Sequence, residues 1–117
     1  MKGKHLILDV YDVVNYKRLN NIESIEPLMK QIIKLGNLNV IGEIKHQFEP
    51  MGVNFIYLLQ ESNLSIHTYP ENNYFAIDLY CCNPNIDLTP IIILIEDYFK
   101  AKINYKIIDR WKPIINL

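Results

Sequence analysis

Ser62, His67 and Cys82 are the side chains of this sequence whose types and spacing could do chemistry. Ser62 brings a hydroxyl. His67 brings an imidazole, which exchanges protons near its ordinary pKa of about 6.5. Cys82 brings a thiol labile enough to give up a proton near neutral pH. Singly, each has a plain structural reading: a surface hydroxyl at a strand junction, a hydrogen-bonded histidine within a strand, a small semi-buried hydrophobe. Their joint arrangement points further. Gln60-Glu61-Ser62-Asn63-Leu64-Ser65-Ile66-His67-Thr68-Tyr69-Pro70-Glu71 is followed by Tyr74-Phe75-Ala76-Ile77-Asp78-Leu79-Tyr80-Cys81-Cys82. The neighbouring thiols of Cys81 and Cys82 are poor disulfide partners, because a bridge wants Cα atoms about 5.5 Å apart with converging Cβ vectors. They read as free thiols of a reducing compartment, with Cys81 on the opposite strand face and given to packing. Two adjacent thiols and scattered His5, His46 and His67 match no zinc spacing, so no metal is expected.

The elements that must position these groups follow from periodicity. A first strand is expected over His5 to Tyr11, where Leu6, Leu8 and Val10 alternate with Ile7, Asp9 and Tyr11. Ile22, Ile25, Leu28, Met29, Ile32 and Ile33 trace one helical face, with Ser24 as N-cap, Pro27 in the first turn and Gly36 as the stop. Leu38 to Phe48 and Val53 to Leu59 read as strands around the turn Glu49-Pro50-Met51-Gly52. Leu64 to Tyr69 and Tyr74 to Cys82 form a hairpin around Pro70-Glu71-Asn72-Asn73. A second helix is expected from Asp87 as N-cap to about Lys100-Ala101-Lys102, then a strand over Ile103 to Asp109. Arg110 to Leu117 has no assignment. Strands joined by short turns are antiparallel, and two amphipathic helices need one face to pack on. The expected fold is α+β: a two-layer sandwich with both helices on one side of an antiparallel sheet. The opposite sheet face, rich in Ile and Tyr, suits burial against a second protomer.

Composition bounds the function without naming it. The 117 residues support one domain, and half are hydrophobic against 21% charged. Lys and Arg total 12 against 13 Asp and Glu, which argues against a nucleic-acid partner. The longest apolar run, Pro90 to Ile95, falls far short of the roughly 20 residues needed to cross a bilayer. The N-terminus lacks a signal-peptide pattern, so a cytoplasmic protein is expected.

The segment from Gln60 to Cys82 resembles the signature of the S-adenosylmethionine decarboxylase family in its short bacterial and archaeal form: Glu-Ser, Ile-His-Thr, an aromatic, Pro-Glu, then Tyr, Ala, Asp and Cys. His46-Gln47-Phe48-Glu49-Pro50-Met51-Gly52-Val53 and Gly3-Lys4-His5-Leu6 match further stretches, so the resemblance spans residues 3 to 109. It implies a self-made cofactor. In the family the serine hydroxyl attacks the preceding carbonyl, here Ser62 on Glu61, and the chain is cut between 61 and 62 to leave a pyruvoyl group on the new N-terminus. Pieces of 61 and 56 residues would result. A pyruvoyl ketone forms a Schiff base with a substrate amine and draws electrons from the departing carboxylate, the task of pyridoxal phosphate elsewhere, so no pyridoxal phosphate is expected.

The resemblance further gives His67 the proton transfers of self-processing and makes Cys82 the proton donor to the substrate Cα. Phe48 would stack on adenine, Glu71 would hold the ribose hydroxyls, and Tyr69 would sit beside the cofactor. Asp9 stands where the family has a glutamate near the site. Plain readings stand beside these: core filling for Phe48, a turn carboxylate for Glu71, hairpin support for Tyr69, a structural acid for Asp9. The family's short form places its site between two protomers, implying a homodimer. Asn54 stands where a serine commonly helps the histidine, Asn63 replaces a histidine after the cleavage serine, and Asn73 replaces glycine in the hairpin. Val10-Tyr11-Asp12-Val13 lacks the small residue and Cys often found there. The expected activity is decarboxylation of S-adenosylmethionine for polyamine synthesis. The same chemistry on L-arginine or L-ornithine is one alternative. The other is an unprocessed homologue partnering an active paralogue.

Overall fold

A computed structural model describes residues 3–83 and 85–110. Six strands form one antiparallel sheet in the order β2-β3-β4-β5-β1-β6, comprising β1 (Gly3–Tyr11), β2 (Val40–Gln47), β3 (Val53–Leu59), β4 (Ser62–Tyr69), β5 (Tyr74–Cys81) and β6 (Lys102–Arg110). Helices α1 (Ile22–Leu35) and α2 (Thr89–Phe99) pack on one sheet face, as the alternation predicts. Strict burial alternation marks the core: Leu6, Leu8 and Val10 of β1, Phe55 and Tyr57 of β3, Leu64 and Ile66 of β4, and Phe75, Ile77 and Leu79 of β5 meet the helices. Against them lie Ile25, Leu28, Met29 and Ile32 of α1 and Ile91, Ile95 and Phe99 of α2. The other face of the sheet stays open, and on it Ile44, Ile56 and Leu58 are 68%, 47% and 55% exposed. Exposed apolar side chains gathered on one sheet face are a feature of interaction surfaces.

Several boundaries move for local reasons. Asn21, not Ser24, caps α1: its side-chain oxygen accepts from Ser24 N at 2.8 Å. The Ser24 hydroxyl turns back to donate to Arg18 O at 2.6 Å, anchoring a 3-10 turn over Tyr16–Leu19 that periodicity does not reveal. Pro27 consequently falls inside α1 and not in its first turn. The second helix is capped at Leu88, one residue after the expected N-cap Asp87, whose carboxylate accepts from Thr89 N at 3.0 Å. It stops at Phe99 because Lys100 takes a left-handed conformation, φ 48°. Strand β4 starts at Ser62, two residues before the expected position. The unassigned tail lies outside the described residues apart from Arg110, which closes β6.

One buried polar side chain stitches these layers. Thr68 is 1% exposed, its hydroxyl donates to Leu19 O at 2.6 Å and accepts from Val53 N at 2.8 Å. The Tyr57 hydroxyl is buried with no hydrogen-bond partner among the described residues, and burial pushes it above the ordinary phenol range.

Candidate active site

The structure gathers the candidate residues into two groups, one at each end of β4. The first lies at the β3–β4 hairpin. Leu59 pairs with Ser62, so Gln60 and Glu61 form a two-residue loop. Glu61 has φ 70°, the left-handed region, which costs a non-glycine residue about 1–2 kcal/mol. The bond between Glu61 and Ser62 therefore follows a strained residue. The loop is held in this shape by α1's exit segment: Gln60 N donates to Asn39 O at 2.9 Å, and Asn39 Nδ2 donates to Gln60 Oε1 at 3.2 Å.

Cys82 follows the end of β5 and returns to this loop, where its thiol donates to the carbonyl oxygen of Glu61 with S···O 2.7 Å. A donor on that oxygen draws charge from the carbonyl carbon, which is the atom the adjacent Ser62 hydroxyl would attack. Cys81 is 5% exposed, and its sulfur accepts from Asn83 N at 3.5 Å at the edge of the same pocket. Beside the loop lies a pocket of about 250 Å³, lined among others by Ser62, Cys82, Asn39 and Asn83. A bond with an adjacent hydroxyl, a polarised carbonyl and free space beside it suits conversion of Ser62 into a carbonyl-bearing N-terminus. No three His, Cys, Asp or Glu side chains among the described residues could hold a metal ion.

The second group lies on the open face at the far end of β4. Phe48, His67 and Tyr69 stack in parallel, with Phe48 to His67 centroids 5.3 Å apart at 14° and His67 to Tyr69 4.5 Å apart at 11°. Tyr69 stacks in turn on Tyr74, its partner across the hairpin. The Tyr74 hydroxyl donates to the carboxylate of Asp9, and burial together with that bond pushes Tyr74 above the usual phenol range. Asp9 thus joins the group through Tyr74. Sequence reasoning missed Tyr74 as a member, although its place opposite Tyr69 follows from the hairpin register. Asn54 stands opposite His67 and lies 3.1 Å from His67 Nδ1 through its side-chain nitrogen. Glu71 sits exposed in the short turn Pro70–Asn72 just beyond Tyr69.

Within one chain the two groups do not meet. His67 lies five positions beyond Ser62, about 16 Å of strand length, and the pleat sends the two side chains to opposite faces.

A family model described as S-adenosylmethionine decarboxylase matches residues 4–111. The chain belongs to the S-adenosylmethionine decarboxylase family. An S-adenosylmethionine decarboxylase proenzyme of Symbiobacterium thermophilum is 35% identical over 106 residues, covering 91% of this chain and 76% of that protein. One of Sulfurihydrogenibium sp. is 39% identical over 80 residues, covering 68% of this chain but only 59% of its own length. The crystal structure of the adenosylmethionine decarboxylase from Aquifex aeolicus superposes with a TM-score of 0.81 at 27% identity, covering 95% of this chain and 92% of that one. The family thus agrees with both the resemblance read from Gln60 to Cys82 and the α+β sandwich.

Proposed function

We propose that this chain is the proenzyme of a pyruvoyl-dependent S-adenosylmethionine decarboxylase that cuts itself between Glu61 and Ser62. The carrying observation is the Cys82 thiol seated 2.7 Å from the Glu61 carbonyl oxygen. The Ser62 hydroxyl attacks the Glu61 carbonyl carbon and turns the amide into an ester, and the Cys82 thiol stabilises negative charge building on the oxygen. Elimination frees the Glu61 carboxyl, and one water replaces the Ser62 nitrogen, which leaves as ammonia. When formed, the pyruvoyl carbonyl supplies the electron sink for loss of the substrate carboxylate. Cys82, no longer tied to Glu61, returns a proton to the substrate carbon.

The separation of the two groups supports a homodimer. Two copies laid antiparallel, open face to open face, bring the β3–β4 loop of one, which carries the Glu61–Ser62 bond at the sheet's end, beside the partner's His67, and the pair gains two whole sites. His67 then serves the partner's Ser62 in self-processing. Phe48 and Tyr69 offer flat faces to adenine and to the sulfonium, whose positive charge suits aromatic rings. Glu71 and Asp9 supply acceptors for hydroxyl and amino groups. Ile44, Ile56 and Leu58 leave water on association.

Intact-mass spectrometry of the purified protein tests the reading. Two pieces of 61 and 56 residues are expected, the second lacking a free amino terminus. Ser62→Ala should abolish cleavage with the melting temperature unchanged. A full-length chain that persists with native Ser62 overturns the reading. CO₂ release from S-adenosylmethionine should exceed that from L-arginine or L-ornithine, and the reverse order would overturn the substrate.

A further inference from the structure

We infer that Asn54 is a positioning residue that fixes His67 in its Nε2–H tautomer, so that the free edge of the imidazole presents a hydrogen-bond donor and not a base. Asn54 and His67 stand directly opposite in the β3–β4 register and share the open face. The Asn54 side-chain nitrogen lies 3.1 Å from His67 Nδ1. An amide nitrogen donates and does not accept, so Nδ1 must present its lone pair. The single proton of the neutral ring is then on Nε2. Parallel stacking on Phe48 and Tyr69 holds the ring plane, and turning the ring over would drive its edge through both neighbours.

A side chain of different chemistry at this position would give a different histidine. A serine hydroxyl both donates and accepts, and leaves either tautomer open. A carboxylate only accepts, and would draw the ring proton to Nδ1, baring the Nε2 lone pair. In this chain a proton can be taken up at Nε2 only if Asn54 gives up its bond to Nδ1. The consequence rests on the reading that His67 serves the partner's Ser62: Asn54 restrains self-cleavage and keeps His67 as a donor to charge developing on oxygen.

The tautomer is measurable without any cleavage, by nitrogen NMR of ¹⁵N-histidine-labelled full-length Ser62→Ala protein at about pH 9, where an ordinary histidine is neutral. Comparison with His67→Gln in the same background assigns the signals. With Asn54 the expected spectrum has a pyridine-type Nδ1 and a pyrrole-type Nε2, and Asn54→Asp exchanges the two. With Ser62 intact, Asn54→Ser and Asn54→Asp should shorten the half-time of cleavage by about tenfold, less than the full contribution of a positioned base. A proton on Nδ1 in the Asn54 protein, an unchanged tautomer in Asn54→Asp, or cleavage that neither variant hastens would overturn the inference. Absence of cleavage in every Ser62-containing chain would instead count against the proposed function, and the tautomer assignment would stand on its spectrum.

Discussion

On the proposed reading, Cys82 holds two tasks that follow each other. Before the chain is cut, its thiol is occupied by the Glu61 carbonyl oxygen. In the proposed reaction, cutting removes that bond and frees the thiol beside the new N-terminus, where the substrate carbon needs a proton. The two tasks separate in Cys82→Ala. Self-cleavage should slow by about tenfold, since a thiol is a weak donor and a strong oxyanion donor is worth about a hundredfold or more. Turnover of the cleaved protein should fall further, by about a hundredfold, because a proton donor is missing. Time-resolved mass spectrometry reads the first rate and CO₂ release the second. Cleavage at the wild-type rate would remove Cys82 from the first task. The identities of Ser62, His67 and Cys82 were legible in the sequence because their spacing is itself a signature. The bond from Cys82 to Glu61 was not, because it spans two hairpins and depends on where β5 ends.

At the scale of elements, the site depends on hairpins whose ends are tied down. Glu61 accepts its left-handed backbone because Asn39 holds Gln60 from the α1 exit and Cys82 holds its carbonyl. At the other end of β4, Thr68 joins the strand to β3 and to the turn before α1 through Val53 and Leu19. Thr68→Val keeps the shape and removes both bonds, leaving a buried N–H and a buried C=O without this partner. Urea unfolding should show a loss of about 3 kcal/mol, and a loss under about 1 kcal/mol would mean that other groups satisfy them. The stacked side chains of His67 and Tyr69 lie next to Thr68 on the opposite face, so the same substitution should loosen the second half of the site. Helix periodicity and turn residues foretold these elements to within a few residues. The caps did not follow, since Asn21 and Ser24 both suit the position and only packing against the Tyr16–Leu19 turn selects between them.

For the whole molecule, the question is why a domain with an ordered core carries its candidate site in two unconnected pieces. On the proposed reading, the two pieces at opposite ends of one sheet become whole sites when a second copy is turned end for end. A mixing experiment tests this directly. Ser62→Ala protein cannot cut itself, and His67→Ala protein lacks its imidazole. Coexpressed, the two should form heterodimers in which the His67→Ala chain is cut by its partner's imidazole while the Ser62→Ala chain stays whole. About half of the His67→Ala chains should be cut if the two chains pair at random in equal amounts. An uncut mixture, with heterodimers demonstrated by native mass spectrometry, would show that the imidazole does not reach across. Association should also bring the exposed Ile44, Ile56 and Leu58 out of water.

The sequence by itself determined what is local. Alternation of period two and stripes of period three to four set the strands and helices, turn residues set the hairpins, and the order of elements set an antiparallel sheet with both helices on one side. It also carried the candidate set, because a serine after Glu61, a histidine five positions on and a cysteine beyond the next hairpin are read off directly. Tertiary structure alone decided which of these residues meet. Strand rise moves successive residues apart by about 3.3 Å and the pleat alternates their faces, so closeness in sequence separates Ser62 from His67. Register across neighbouring strands brings distant residues together, placing Asn54 on His67, Tyr74 on Tyr69 and Asp9 on Tyr74.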